Sequence, residues 1–270
     1  MAIKLRNHVG TAGDDVLFGS PRDDTMDGLA GNDIIIARSG DDYILGNGRQ
    51  GGGVGDPLAG RGSNLIFAGS GDDSVIAGYE SDTVFGGAGD DSIYGYGSYV
   101  GSGPGGVSLA AADFGDLLYG GSGNDLVDGA GGNDTIFGGQ GTDTLLGGLD
   151  RDELAGGPGE DIFVFLFTPG FNFRSETGSD EATRDLIWDF EQGKDKIDVS
   201  GYNFYSDIEP VFLGNNSYDP EDRRLQVRYD SDGENTVVQL YVPILVSQTL
   251  QYYEIELRDR YALTADDFIL

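Results

Sequence analysis

The chain has 270 residues, 47 of them glycine and none cysteine, and 47 Asp and Glu against 16 Lys and Arg leave a net charge of −31. That charge argues against nucleic acid and anionic membrane surfaces as partners, since both attract positive charge, and it suits cations. Without cysteine there is neither a disulfide nor a thiolate zinc site, while 11% aromatic and 38% hydrophobic residues predict a folded chain rather than a disordered one, provided the carboxylates are neutralised.

Residues 1–9 carry Ile3, Leu5 and Val9 and are expected to cap whatever follows. Lys4 and Arg6 precede no apolar stretch, so a Sec-type signal peptide is not visible there. No apolar run approaches the roughly 20 residues that span a bilayer. His8 is the sole histidine and is expected at the surface, which leaves no H-E-x-x-H zinc pair and disfavours a Ser-His triad.

From Gly10 to Val164 a nine-residue frame repeats fourteen times. Its blocks start at 10, 19, 28 and 37, then at 59, 68, 77 and 86, then at 111, 120, 129, 138, 147 and 156. Position 6 is Asp15, Asp24, Asp33, Asp42, Asn64, Asp73, Asp82, Asp91, Asp116, Asp125, Asp134, Asp143, Asp152 and Asp161, and position 8 is apolar in every copy. Glycines at positions 1, 2 and 4 permit positive φ and let carbonyls converge on an ion. Position 6 supplies the hard carboxylate oxygen that calcium prefers. Positions 7 to 9 make a short strand with period 2, so position 8 faces inward. Two nonads make one turn, and stacked turns make two parallel sheets edged by two columns of loops. These fourteen residues are therefore the candidate calcium ligands. Paired acids such as Asp14-Asp15, Asp72-Asp73 and Asp90-Asp91 fall at repeat phase and are assigned to calcium loops, not to a glycosidase pair.

Residues 46–58 and 95–110 are Gly-rich insertions between blocks. Since the blocks hold 4, 4 and 6 nonads, both insertions are expected in the same loop column, before Asn64 and Asp116, with the opposite column continuous. Beyond a polar connector at 168–184, the runs Leu225–Tyr229, Thr236–Val242 and Tyr252–Leu257 read as strands, with turns at Asn215-Asn216 and Asp232-Gly233. Asp230-x-Asp232-Gly233 is read as a hairpin turn in preference to a further calcium loop.

The nonads fit G-G-x-G-x-D-x-U-x and resemble the RTX (repeats-in-toxin) exoproteins. Asp185–Phe190, Gly193–Ser200 and the ending Leu263–Leu270 are similar to the segments that follow the repeats in serralysin-type secreted proteins. The resemblance implies an all-β fold: a right-handed parallel β-roll over 10–164, then a β-rich C-terminal domain over 165–270. It implies calcium as the structural ligand. It also implies export by a type I ABC transporter, through an uncleaved signal ending in Asp267, Phe268, Ile269 and Leu270, and an extracellular location. Departures from the pattern are Arg22, Glu80, Phe114 and Asp150 at position 4, and Asn64, a neutral residue in place of a charged ligand; weak calcium binding or none is expected at those loops.

The protease part of serralysins is missing, and no G-x-S-x-G elbow is present. The expected function is a non-catalytic calcium-binding exoprotein acting at a cell surface, in a matrix or on a host, with a polysaccharide, cell-surface or protein partner. The alternative is the C-terminal module of a larger extracellular enzyme of protease or alginate epimerase type, a reading that Met1 disfavours. An enzyme with an unrecognised site is a third reading. A row at position 9 of one sheet (Phe18, Ile36, Phe67, Phe85, Tyr119, Phe137, Ala155) points outward; residues 165–270 or the N-terminal segment are expected to cover part of it and to leave part exposed for a partner, a dimer mate or a hydrophobic surface.

Overall fold

The computed structural model describes residues 6–47, 62–95, 114–168, 174–175, 182–202, 210–219, 221–222, 224–243 and 250–270. Among these, three-residue to six-residue strands alternate between two sheets. A ten-stranded parallel sheet runs in space from Arg6–Val9 through Asp24–Asp27, Tyr43–Leu45, Ser74–Ile76, Ser92–Tyr94, Leu126–Asp128, Thr144–Leu146 and Ile162–Val164 to Lys196–Asp198 and Phe268–Ile269. A twelve-stranded sheet takes the intervening strands, from Val16–Phe18 to Glu153–Ala155, and continues into Asp185–Ile187 and the C-terminal strands. This is the parallel β-roll that the nonad frame predicts.

Register follows from the frame. Leu118 pairs with Ile136 and Val127 with Leu145, one turn of two nonads on. Across the insertions Ile35 pairs with Ile66 and Val84 with Leu118, so the register is the same on either side of them, and Gly46 and Gly95 still bond to the next turn. Both excursions leave the ten-stranded sheet, after Leu45 and Tyr94, and return into the twelve-stranded one, at Leu65 and Leu117. They therefore share one loop column, as the even block sizes require. Residues 48–61 and 96–113, which make up most of both insertions, lie outside the described residues.

Position 8 builds the core. Met26, Ile35, Ile44, Ile66, Val75, Val84, Ile93, Leu118, Val127, Ile136, Leu145, Leu154 and Phe163 are all completely buried. Each contributes about 1.5–3 kcal/mol by leaving water. Leu17, in the terminal turn, is only partly covered.

The sheets run past Val164, where the nonad pattern stops. Leu186-Ile187 pairs with Glu153-Leu154, and Ile197 with Phe163, so two further rungs close the stack. Leu250–Leu257 then adds in parallel to Asp185–Ile187 and turns the sheet into an antiparallel meander with Thr236–Pro243 and Gln226–Ser231. The 232–233 segment is the hairpin turn between those last two: Asp232 Oδ1 accepts the N–H groups of Glu234 and Asn235. Buried Arg184 ties this meander to the roll, pairing with Asp232 (3.2 Å), Glu254 (3.0 Å) and Glu256 (2.5 Å). The chain ends as the outermost strand of the ten-stranded sheet, with Phe268 buried and Asp267 accepting the Thr264 N–H at 2.7 Å.

Candidate metal centre: two aspartate ladders

Each position-6 residue precedes a strand, in the loop that crosses from one sheet to the other, and its carboxylate turns inward along the loop column. In the column beside the ten-stranded sheet, the backbone N–H of Asp24 donates to Asp42 Oδ1, that of Asp42 to Asp73, and so on through Asp91, Asp125, Asp143 and Asp161 to Asp195, at 2.7–3.1 Å. The other column runs from Asp15 through Asp33, Asn64, Asp82, Asp116, Asp134 and Asp152 to Asp185, at 2.6–3.1 Å. All fourteen candidate residues thus fall into two continuous ladders, and in every one except Asp15 and Asp24 at the ends, a side-chain oxygen fixes the backbone of the neighbouring turn.

Asp185 and Asp195 extend the ladders and were not among the candidates. Their signal is the shorter pattern D-x-U-x, in Asp185-Leu-Ile-Trp and Asp195-Lys-Ile-Asp, without the preceding glycines. Position 5 also has a role that the frame did not reveal. Asp41 N–H donates to Asp23 Oδ1, Asp72 to Asp41, Asp90 to Asp72 and Asn124 to Asp90, so a second, solvent-facing ladder runs with opposite polarity.

The second carboxylate oxygen carries the chemistry. Oδ2 of Asp33, Asp42, Asp73, Asp91, Asp125, Asp143 and Asp161 is buried and makes no hydrogen bond. It faces other acceptors: a Cβ built on Gly120 would stand 2.5 Å from Asp125 Oδ2 and 2.5 Å from the Gly138 carbonyl oxygen, and one on Gly86 would meet Asp91 Oδ2 and the Gly120 carbonyl at the same distances. A cradle that sets a carboxylate oxygen beside a backbone carbonyl and has no room for a side chain suits a hard cation. Left unpaired, such a buried acceptor costs about 1–3 kcal/mol, and more when charged. Among the described residues no three Asp, Glu or His side chains converge, so each rung would offer one carboxylate with backbone carbonyls.

Three rungs differ. Asp15 Oδ2 accepts the Thr11 N–H and Asp24 Oδ2 the Ser20 N–H, each at 2.5 Å, within their own loops. Asn64 presents an amide nitrogen, a donor, where its neighbours present Oδ2. The position-4 departures leave the ladders intact. Glu80 and Asp150 hold the left-handed turn themselves, at φ +77° and +83°, at a cost of about 1–2 kcal/mol each.

Burial pushes the carboxyls of Asp73, Asp125 and Asp161 up to about 7 from 3.8, and those of Asp33, Asp42 and Asp91 to about 6; neighbouring aspartates add to the rise and the accepted N–H bonds oppose it. A folded-state pKa above the unfolded one means that the calcium-free roll binds more protons than the unfolded chain. Its stability therefore rises as pH falls from about 7 towards 4 and is lost above about 7. In calcium-stripped buffer, far-UV circular dichroism should accordingly show β-structure regained between pH 8 and pH 5. A spectrum that does not change over that range contradicts this electrostatic account.

On the outer face of the twelve-stranded sheet, position 9 forms a ring stack. Phe67–Phe85, Phe85–Tyr119 and Tyr119–Phe137 lie 4.8–5.1 Å apart with planes within 7°. Phe18 is 51% exposed and Phe67 and Phe137 37% each. The expectation of partial exposure holds.

The family profile described as the RTX calcium-binding nonapeptide repeat matches residues 9–44, 58–78, 76–98, 111–145 and 137–165. No curated protein matches the chain. Among solved structures it is similar to the AlgE6R3 subunit of the Azotobacter vinelandii mannuronan C5-epimerase (25% identity, 72% of this chain and 80% of that one, TM-score 0.35) and to the AlgE6R2 subunit of the same enzyme (26%, 71% and 91%, TM-score 0.30). It is also similar to the extracellular lipase LipA from Serratia marcescens (16%, 100% of this chain and 40% of that one, TM-score 0.33).

Proposed function

The nonad blocks of this chain belong to the RTX calcium-binding nonapeptide repeat family, and from that premise we propose that the chain is a non-catalytic, calcium-folded exoprotein that presents an apolar sheet face to a partner. Calcium is held between successive turns by the position-6 Oδ2 atoms and glycine-loop carbonyls. The chain leaves the cell through a type I transporter, and the low calcium of the cytosol keeps it unfolded until it emerges. What supports export is the likeness of the segment 263–270, with its acidic-apolar run Asp267-Phe268-Ile269-Leu270, to that of type I secreted proteins; what supports an extracellular site of action is the millimolar calcium there, in the range where extracellular modules bind, roughly 10⁻⁴–10⁻³ M.

The observation that carries the interaction role is the ring stack. Val16, Phe18, Ile34 and Phe67 are exposed on one sheet face, and contiguous apolar exposure of this kind marks an interaction surface. The ring faces are used on one another, so the stack offers a partner its edges. With −31 net charge, the partner surface is neutral or cationic.

The experiment compares the calcium-loaded protein with a Phe67→Ser/Phe137→Ser double variant for retention on neutral polysaccharide, on neutral vesicles and on whole cells. Expected is retention on at least one of these, reduced at least tenfold in the double variant, with calcium-dependent folding kept. Equal retention of the two proteins, or none by either, removes the interaction role.

A further inference from the structure

One rung of the calcium columns is already closed. Asn64 Oδ1 accepts the Asp33 N–H at 3.1 Å, which fixes the amide orientation and turns Nδ2 towards the cradle. There Nδ2 lies 3.2 Å from the Ala77 carbonyl oxygen and 3.3 Å from that of Gly62. Ala77 is the position-1 residue of its nonad, the same place as Gly138 beside Asp125. Where the other rungs set acceptor against acceptor, this one sets donor against acceptor.

A second amide completes the closure. Asn47, also buried, donates from Nδ2 to the same Gly62 carbonyl at 3.3 Å and accepts the Tyr79 N–H at 2.8 Å through Oδ1. Asn47 and Gly62 are the described residues on either side of 48–61. A Cβ on Gly46 would stand 2.7 Å from Asn64 Nδ2, as one on Gly120 stands 2.5 Å from the Asp125 carboxylate. The cradle is therefore the same in shape and opposite in sign.

We propose that the Asn64 rung takes no calcium: its amide N–H groups, with those of Asn47, replace the ion and staple the roll across the mouth of the first insertion. This deepens the calcium-binding reading and rests on it. A cation there would face the amide hydrogens at the distance where other rungs offer Oδ2. The column is thereby divided, with Asp33 on one side of a calcium-independent fastening and Asp82 and its successors on the other.

Native mass spectrometry of the full chain at saturating calcium tests this by counting bound ions. Asn64→Asp should bind one calcium more than the parent, because it restores Oδ2 opposite the Ala77 carbonyl. Asn64→Ala should bind the same number as the parent while needing more calcium to fold. Asp125→Asn, the converse change, should bind one fewer. Loss of one ion in Asn64→Ala, or no gain in a folded Asn64→Asp, overturns the proposal. Absence of any bound calcium in the parent would instead overturn the reading beneath it.

Discussion

Replacing Asp125 by Ala is expected to destabilise the calcium-loaded roll by roughly 4–5 kcal/mol, as is the same change at the equivalent interior rungs. Two losses combine. The Asp91 N–H, buried and 2.8 Å from Asp125 Oδ1, is left without an acceptor, at about 1–3 kcal/mol. The ion between Asp125 Oδ2 and the Gly138 carbonyl is also lost, and a site at 100 times its dissociation constant contributes about 2.7 kcal/mol. Asp125→Asn should be milder, by roughly the hydrogen-bond share, since Oδ1 still receives Asp91 and the amide can donate as Asn64 does. Urea denaturation at fixed millimolar calcium checks both the size and the order. Equal effects for Ala and Asn would show that the Oδ1 ladder contributes nothing.

Calcium withdrawal is expected to have a larger effect still, because it acts on every interior rung together. The columns then hold buried carboxylate oxygens facing carbonyls, in a chain of net charge −31. Position-8 burial cannot offset that alone, since net stabilities of whole domains are only about 5–15 kcal/mol. Far-UV circular dichroism in excess EGTA at pH 8 should show little β-structure, with a cooperative return near millimolar calcium. Each turn contacts only its neighbours, so the steepness reports coupling along the stack. A β-rich spectrum in chelator at that pH contradicts the prediction.

The roll was legible in the sequence because its two dominant demands repeat at fixed phase. An apolar residue must fill each interior rung, and an acid must precede each strand. Hence position 8 is buried from Met26 to Phe163, and every position-6 residue from Asp15 to Asp161 stands in a ladder. What escaped was whatever depends on the turn above or below. The polarity of the Asn64 amide is set by the Asp33 N–H and by carbonyls at Gly62 and Ala77, all on other turns or loop positions. Asp185 and Asp195 lack a glycine frame because the chain enters them from other loops, yet they pair with the turn before as any nonad does. Position 5 varies between Asp, Asn, Ser, Thr, Gly, Arg and Glu, so its ladder is patchy and its pattern faint. The C-terminal strands were readable one by one, but their addition to the roll through Ile187 and Leu257, fastened by Arg184, depends on contacts distant in sequence.

The claim that acceptor-only rungs hold calcium is tested most directly by anomalous scattering from crystals grown in calcium. The account predicts peaks beside the Oδ2 atoms of Asp42, Asp73, Asp91, Asp125 and Asp143, each shared with glycine-loop carbonyls, and none beside the Asn64 amide. A map without peaks along those rungs, in a crystal where the roll is nonetheless folded, would contradict it.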